Sequence, residues 1–181
     1  MGVPRKNTLE AKFKDLDNEI RASLQHYPKL LNDFPCDVLI AYLFSRIELA
    51  QNNAIYCGIV KIHKLNAKFA RIAVANWHIT RDGFRSNYGI VFDRNFPEDV
   101  TSRLSHAEKI RDAIVHGKAP KEGAMRQSVF DVLEYSVGLS KTVSEHGGFT
   151  PFGSLKGFKG RAKSHDLGTS RWILKGMGFN V

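Results

Sequence analysis

The stretch PCDVLIAYLFSRIELAQNNAIYCGIVKIHK, residues 35–64, decides the fold class of this chain. Within it Leu39, Leu43, Ile47, Ala50 and Ala54 recur at three- and four-residue steps, and Ile55, Ile59 and Ile62 carry the stripe onward. That is the period of an α-helix with one apolar face turned to a core. Asp37 near its start suits the positive end of the helix dipole.

Outward from this helix the same period returns. A first helix is expected from about Thr8 to Tyr27, capped by Thr8, with Leu9, Phe13, Leu16 and Ile20 in phase. Pro28 interrupts it, and Leu30, Leu31 and Phe34 extend the apolar surface. A third helix begins near Asn66 and places Phe69, Ile72, Ala73, Asn76 and Trp77 on one face. Arg81 to Pro97 carries Gly83, Gly89 and Pro97 and yields no assignment. A fourth helix runs from Pro97 to His116, with Glu98 and Asp99 in its first turn and Gly117 beyond its end. The fifth, Lys121 to Lys141, shows Met125, Val129, Val132, Leu133, Ser136 and Val137 at helical spacing. Period-two strand patterns hardly compete. The expected fold is all-α, an up-and-down bundle of four or five helices. Residues 39, 43, 47, 50, 110, 114, 129, 132, 133 and 137 are expected in its core.

The bundle is assigned to residues 1–146 and a glycine-rich basic C-terminal extension to residues 147–181. Eight of the 15 glycines fall in that extension, interleaved with Phe149, Phe152, Phe158, Trp172 and Phe179. Disordered segments are poor in aromatics, so the extension reads as an ordered appendage that docks on the bundle or on a partner. It also concentrates charge. Residues 151–181 hold Lys156, Lys159, Arg161, Lys163, Arg171 and Lys175 against Asp166, so +5 of the net +9 lies there. A basic excess favours polyanions, nucleic acid foremost.

At 181 residues, 43% hydrophobic and 25% charged, the composition is that of an ordinary globular domain. No apolar run approaches the roughly 18–20 residues that span a bilayer, and the N-terminus lacks the apolar core of a signal peptide. A cytoplasmic protein without a membrane partner is expected. Cys36 and Cys57 lie on one helix, about 31 Å apart at 1.5 Å per residue, too far for a bridge. Neither cysteine has a metal-ligand spacing, and His63, His78, His106, His146 and His165 show none among themselves. No metal and no cofactor is expected.

The fourth helix carries the chemistry. It ends in Arg111-Asp112-Ala113-Ile114-Val115-His116, followed by Gly117. An arginine and a histidine here provide a fixed cation for phosphate and an imidazole for proton transfer. At 100° per residue, Val100, Leu104, Ala107, Ile110 and Ile114 form the core stripe, with Arg111 at its margin. Ser105, Lys109, Asp112 and His116 fall on the opposite side. Asp112 and His116 are one turn apart, close enough for the carboxylate to orient the imidazole. Arg111 and His116 are about 140° apart around a regular helix. A second copy related by two-fold symmetry would bring two such pairs to one cleft.

Arg-Asp, three apolar residues and His-Gly at the end of a late helix resemble the motif of the HEPN superfamily of small helical proteins. In pattern the resemblance covers roughly residues 35–141, and only the motif is specific. It implies a homodimeric endoribonuclease that needs no metal, of the kind found in toxin–antitoxin pairs and phage defence. Arg111 and His116 would be the catalytic pair, and Asp112 would assist them. Lys109 and Lys118 would add phosphate contacts. RNA is the implied substrate, cleaved by attack of the ribose 2′-hydroxyl.

Two other readings stand beside this one. A non-catalytic helical module could use the same bundle to bind a nucleotide or a partner, such as a nucleotidyltransferase or an antitoxin. Alternatively, the basic extension, with Phe158 and Trp172 to stack on bases, could make this a nucleic-acid-binding protein.

Overall fold

A computed structural model describes residues 2–75, 80–155 and 164–181, apart from the side chain of Arg81. In chain order the helices are α1 (Lys6–Lys14), α2 (Asn18–Ser23), α3 (Tyr27–Asp33), α4 (Cys36–Lys61), α5 (Ala67–Ala75), α6 (Arg81–Phe92), α7 (Glu98–Val115), α8 (Glu122–Gly147) and α9 (Leu167–Gly176). No strand occurs among the described residues, so the chain is all-α there. None of these helices is long and apolar enough to cross a membrane. Asn76, Trp77, His78, Lys156, Phe158, Lys159, Arg161 and Lys163 lie outside the described residues.

The chain divides into two compact units, Met1–Glu48 with Pro97–Thr142, and Leu49–Phe96 with Val143–Val181. This grouping cuts the chain differently from the compositional division at residue 146. Helices α4 and α8, 26 residues each, contribute to both units.

In the first unit the α4 stripe is buried as its spacing predicts, with Leu39, Leu43 and Ile47 at most 1% exposed. The expected helix from Thr8 to Tyr27 is instead three segments. Asp15, Asp17 and Asn18 supply residue types that compete for turns, and the helix leaves its path there. The apolar phase survives the break: Leu9, Leu16, Ile20 and Leu24 are buried, and Tyr27 stacks on Phe13 with ring centroids 4.6 Å apart. Thr8 sits inside α1 and Arg5 at its N-cap, so Thr8 is no cap. Pro28 opens α3, where its missing N–H costs nothing.

Helices α7 and α8 run antiparallel. Arg103 bonds Glu134 at 2.7 Å while His106 meets Asp131 at 3.0 Å, so ascending positions on one helix meet descending positions on the other. Glycine at 138 allows this approach, because a Cβ there would lie 2.7 Å from a Val100 methyl. Three expected core residues are corrected. Ile110 and Ile114 are half-buried, because no residue of α7 from Glu108 onward is fully covered. Val137 is 36% exposed. The buried arc of α8 passes through Val129, Val132, Leu133, Ser136 and Ser140, and residue 137 lies at its rim. Ser136 tolerates burial because its hydroxyl donates to the Val132 carbonyl at 2.8 Å.

In the second unit, residues 81–92 form α6, where glycines had hidden the pattern. Thr80 caps it, accepting from the Gly83 N–H at 3.1 Å. Phe84, Tyr88 and Phe92 recur every four residues and pack with Phe96 into an aromatic cluster. The C-terminal extension contains α9, which packs on α5. Asp166 caps α9 by accepting from Thr169, and Gly178, at φ +88°, turns the chain beyond it.

Candidate functional site

The C-terminal end of α7 is closed by a Schellman turn. His116 is the C-cap and Gly117 adopts φ +71°, a left-handed conformation that side-chain-bearing residues resist. The Gly117 N–H donates to the Ile114 carbonyl at 2.9 Å, and the Lys118 N–H to the Ala113 carbonyl at 2.9 Å. This turn places His116 just past Val115, the last residue of α7, with its side chain exposed. Val115 beside it is 71% exposed. Lys109 and Lys118 are exposed as well, and neither has a side-chain partner among the described residues.

Arg111 is held from three sides. Its guanidinium donates to Glu48 of α4 at 3.1 Å and to Asp112 at 2.9 Å. It also lies 5.5 Å from the centroid of the Phe44 ring, one turn before Glu48 on α4. The three charged side chains remain 39% to 57% exposed, so water and ions reach them. The sequence reading missed Glu48 and Phe44. A signal was available: Asp37 and Glu48 are the only acids between residues 35 and 64, and Glu48 stands in the middle of an apolar helix.

One expected contact is replaced. The Asp112 carboxylate accepts from Arg111 rather than orienting His116, whose imidazole has no partner among the described residues. The physical reason is charge: the guanidinium on the neighbouring residue, already held by Glu48, gives the carboxylate a charge-assisted hydrogen bond. Helix α7 is regular to Val115, so Arg111 and His116 occupy the same end of one helix but different sides of it.

Other polar clusters are structural. Asp131 joins His106 to Gln127, which donates at 2.7 Å. Glu134 ties Arg103 to Lys12 across α8. In the second unit His146 Nδ1 meets the buried Tyr88 hydroxyl at 2.7 Å. Partial burial holds its imidazole below the usual range, nearby Arg94 adds to this, and Glu145 opposes it. No group of three histidine, cysteine, aspartate or glutamate side chains is placed to hold a metal ion among the described residues.

A crevice of about 510 Å³ in the first unit is lined mainly by apolar side chains, Leu9, Leu30, Phe34, Leu39 and Met125 among them. Burial pushes the Cys36 thiol at its wall up to about 11, so this cysteine is neutral and no ready nucleophile. None of the motif residues lines it. Among the described residues, the arrangement at the end of α7 therefore offers the clearest chemistry: an oriented cation, an accessible imidazole and two further lysines.

No protein-family model matches this chain, and no curated protein or solved structure matches it either.

Proposed function

We propose that this protein is a metal-independent endoribonuclease of the HEPN type, built on an up-and-down helical bundle and acting as a cytoplasmic homodimer. The observation that carries the reading is the fixing of the Arg111 guanidinium by Glu48, Asp112 and the Phe44 ring, at the helix end that presents His116. An arginine held in place binds phosphate with less loss of side-chain entropy than a free one. Two of its five N–H donors are engaged, which leaves others for phosphate oxygens.

In this reading His116 takes the proton from a ribose 2′-hydroxyl or gives one to the departing 5′-oxygen. Arg111 stabilises the charge that builds on the phosphate oxygens. Lys109 and Lys118 add weaker contacts. The second copy of the chain supplies the group that one helix turns away, and the uncovered stretch of α7 with Val115 offers it a surface. Toxin–antitoxin or phage-defence systems are the setting in which such a nuclease and its antidote would be encoded.

One observation favours the non-catalytic module instead. Two carboxylates already surround one guanidinium, so the Arg111 cluster itself carries a net negative charge, which weakens its pull on phosphate. The two readings part in one experiment. Single-stranded RNA incubated with the wild-type protein in excess chelator is expected to yield 2′,3′-cyclic phosphate ends, and both Arg111→Ala and His116→Ala to remove the activity. A folded wild type that cuts none of a varied substrate panel overturns the nuclease in favour of the partner-binding module.

A further inference from the structure

We propose that α5 and α9 together form a docking surface for unpaired nucleic-acid strands, with Trp172 stacking on a base and Lys68, Arg171 and Lys175 meeting phosphates. The surface lies within the second unit. It goes beyond the ribonuclease reading and does not depend on it.

Backbone contacts set the surface. The Asn66 N–H donates to the Ser170 hydroxyl at 2.9 Å, and the His165 N–H to the Lys64 carbonyl at 2.9 Å. These contacts tie the residues that lead into α5 to the start of α9, and the two helices pack together. Ser170 and Leu174 of α9 are buried, as are Ala70 and Ala73 of α5. What faces solvent on α9 is then Arg171, Trp172 and Lys175, with Lys68 and Arg71 exposed on α5.

Two features point to an unpaired strand. Trp172 is 77% exposed, the most exposed large hydrophobic side chain among the described residues. Water is a poor solvent for an indole left without a packing partner. The charge on the two helices themselves has one sign. Helices α5 and α9 hold four cations and no acid. The neighbouring Asp166 carboxylate is occupied by the Thr169 hydroxyl and N–H, and the Arg171 Nε–H donates to a Val181 main-chain oxygen at 3.3 Å. The Lys68 and Lys175 ammonium groups have no partner among the described residues. An aromatic face set among cations is what single-strand platforms use, since every base offers a π-face and every nucleotide a charge. A duplex keeps its bases stacked inside and offers the indole nothing.

An anionic membrane would also attract the cations. It needs a broad apolar face to sink into the interface, whereas here cations flank the tryptophan and Leu167 is the only other large apolar side chain exposed on α9.

The test uses the full chain and a dye-labelled 20-nucleotide oligothymidylate, which lacks the 2′-hydroxyl and so reads binding apart from cleavage. Anisotropy is followed over a series of salt concentrations. Trp172→Ala is expected to weaken binding roughly five- to a hundredfold with the salt slope little changed. Lys175→Ala and Lys68→Ala are each expected to flatten the slope of log affinity against log salt by about 0.7. Trp172→Phe should recover part of the loss. Wild-type binding with unaltered affinity in Trp172→Ala overturns the proposal, as does absence of binding at low salt. So does tighter binding to phosphatidylserine-containing vesicles than to the oligonucleotide. A protein that binds this probe through Trp172 yet never cuts RNA keeps the platform and loses the nuclease.

Discussion

Glu48 and Arg111 stand 63 positions apart in sequence and 3.1 Å apart in space. The contact ties the first long helix to the motif-bearing end of α7, and it is partly open to water. A double-mutant cycle of Glu48→Ala and Arg111→Ala should return a coupling of about 0.2–1 kcal/mol in urea denaturation, the range of exposed ion pairs. A coupling near zero would mean that the pair does not position the arginine.

Gly117 sets where His116 sits. Its φ of +71° costs an L-residue roughly 1–2 kcal/mol. Gly117→Ala should lower stability by about that amount and reduce cleavage more than binding, because the imidazole shifts with the turn. Gly117→Asn should fall between the two, since asparagine tolerates this conformation better. Equal midpoints for all three proteins in denaturation would contradict the turn.

Val115 is 71% exposed beside the catalytic candidate. If a second copy covers it, Val115→Asp should shift sedimentation at micromolar concentration from dimer to monomer and abolish cleavage with the helix content intact. A wild type that is monomeric at that concentration and cuts RNA at full rate would exclude the dimeric site.

His146 gives the fold a pH dependence. Its folded-state pKa lies below the ordinary value because of burial and Arg94. Stability from the neutral imidazole is therefore complete above about pH 6.5 and is lost as pH falls through the folded value, since the unfolded chain takes up the proton first. The urea midpoint should drop between pH 7 and pH 5, and His146→Gln should drop less. Parallel curves for the two proteins would assign the loss to other groups.

What the sequence made legible follows from periodicity. Helices α4, α7 and α8 show it because one face of each carries apolar residues for several turns, and the glycine and proline at the ends of α7 mark its limits. The α6 helix was hidden by Gly83 and Gly89, although Phe84, Tyr88 and Phe92 kept the period. The break after Lys14 was hidden for the opposite reason, since the apolar phase runs on while the backbone turns. Arg111, Asp112 and His116 were legible as neighbours on one helix. Glu48 and Phe44 were not, because a contact across 63 positions leaves no local pattern. The preference of Asp112 for Arg111 over His116 was equally invisible, being decided by a choice of side-chain direction.

The discontinuity of both compact units bears on how the chain is made. The first unit takes its last residue at Thr142 and the second at Val181, so neither can close while only the N-terminal half has left the ribosome. At about 5–20 residues per second, the interval from Lys61 to Thr142 lasts roughly 4–16 s. Helices α5, α6 and α7 emerge within it, but the first unit is not complete until α8 reaches Thr142. Newborn chains should therefore carry an incomplete first unit for seconds, and their yield in a cell should depend on chaperones that shield its unfinished core.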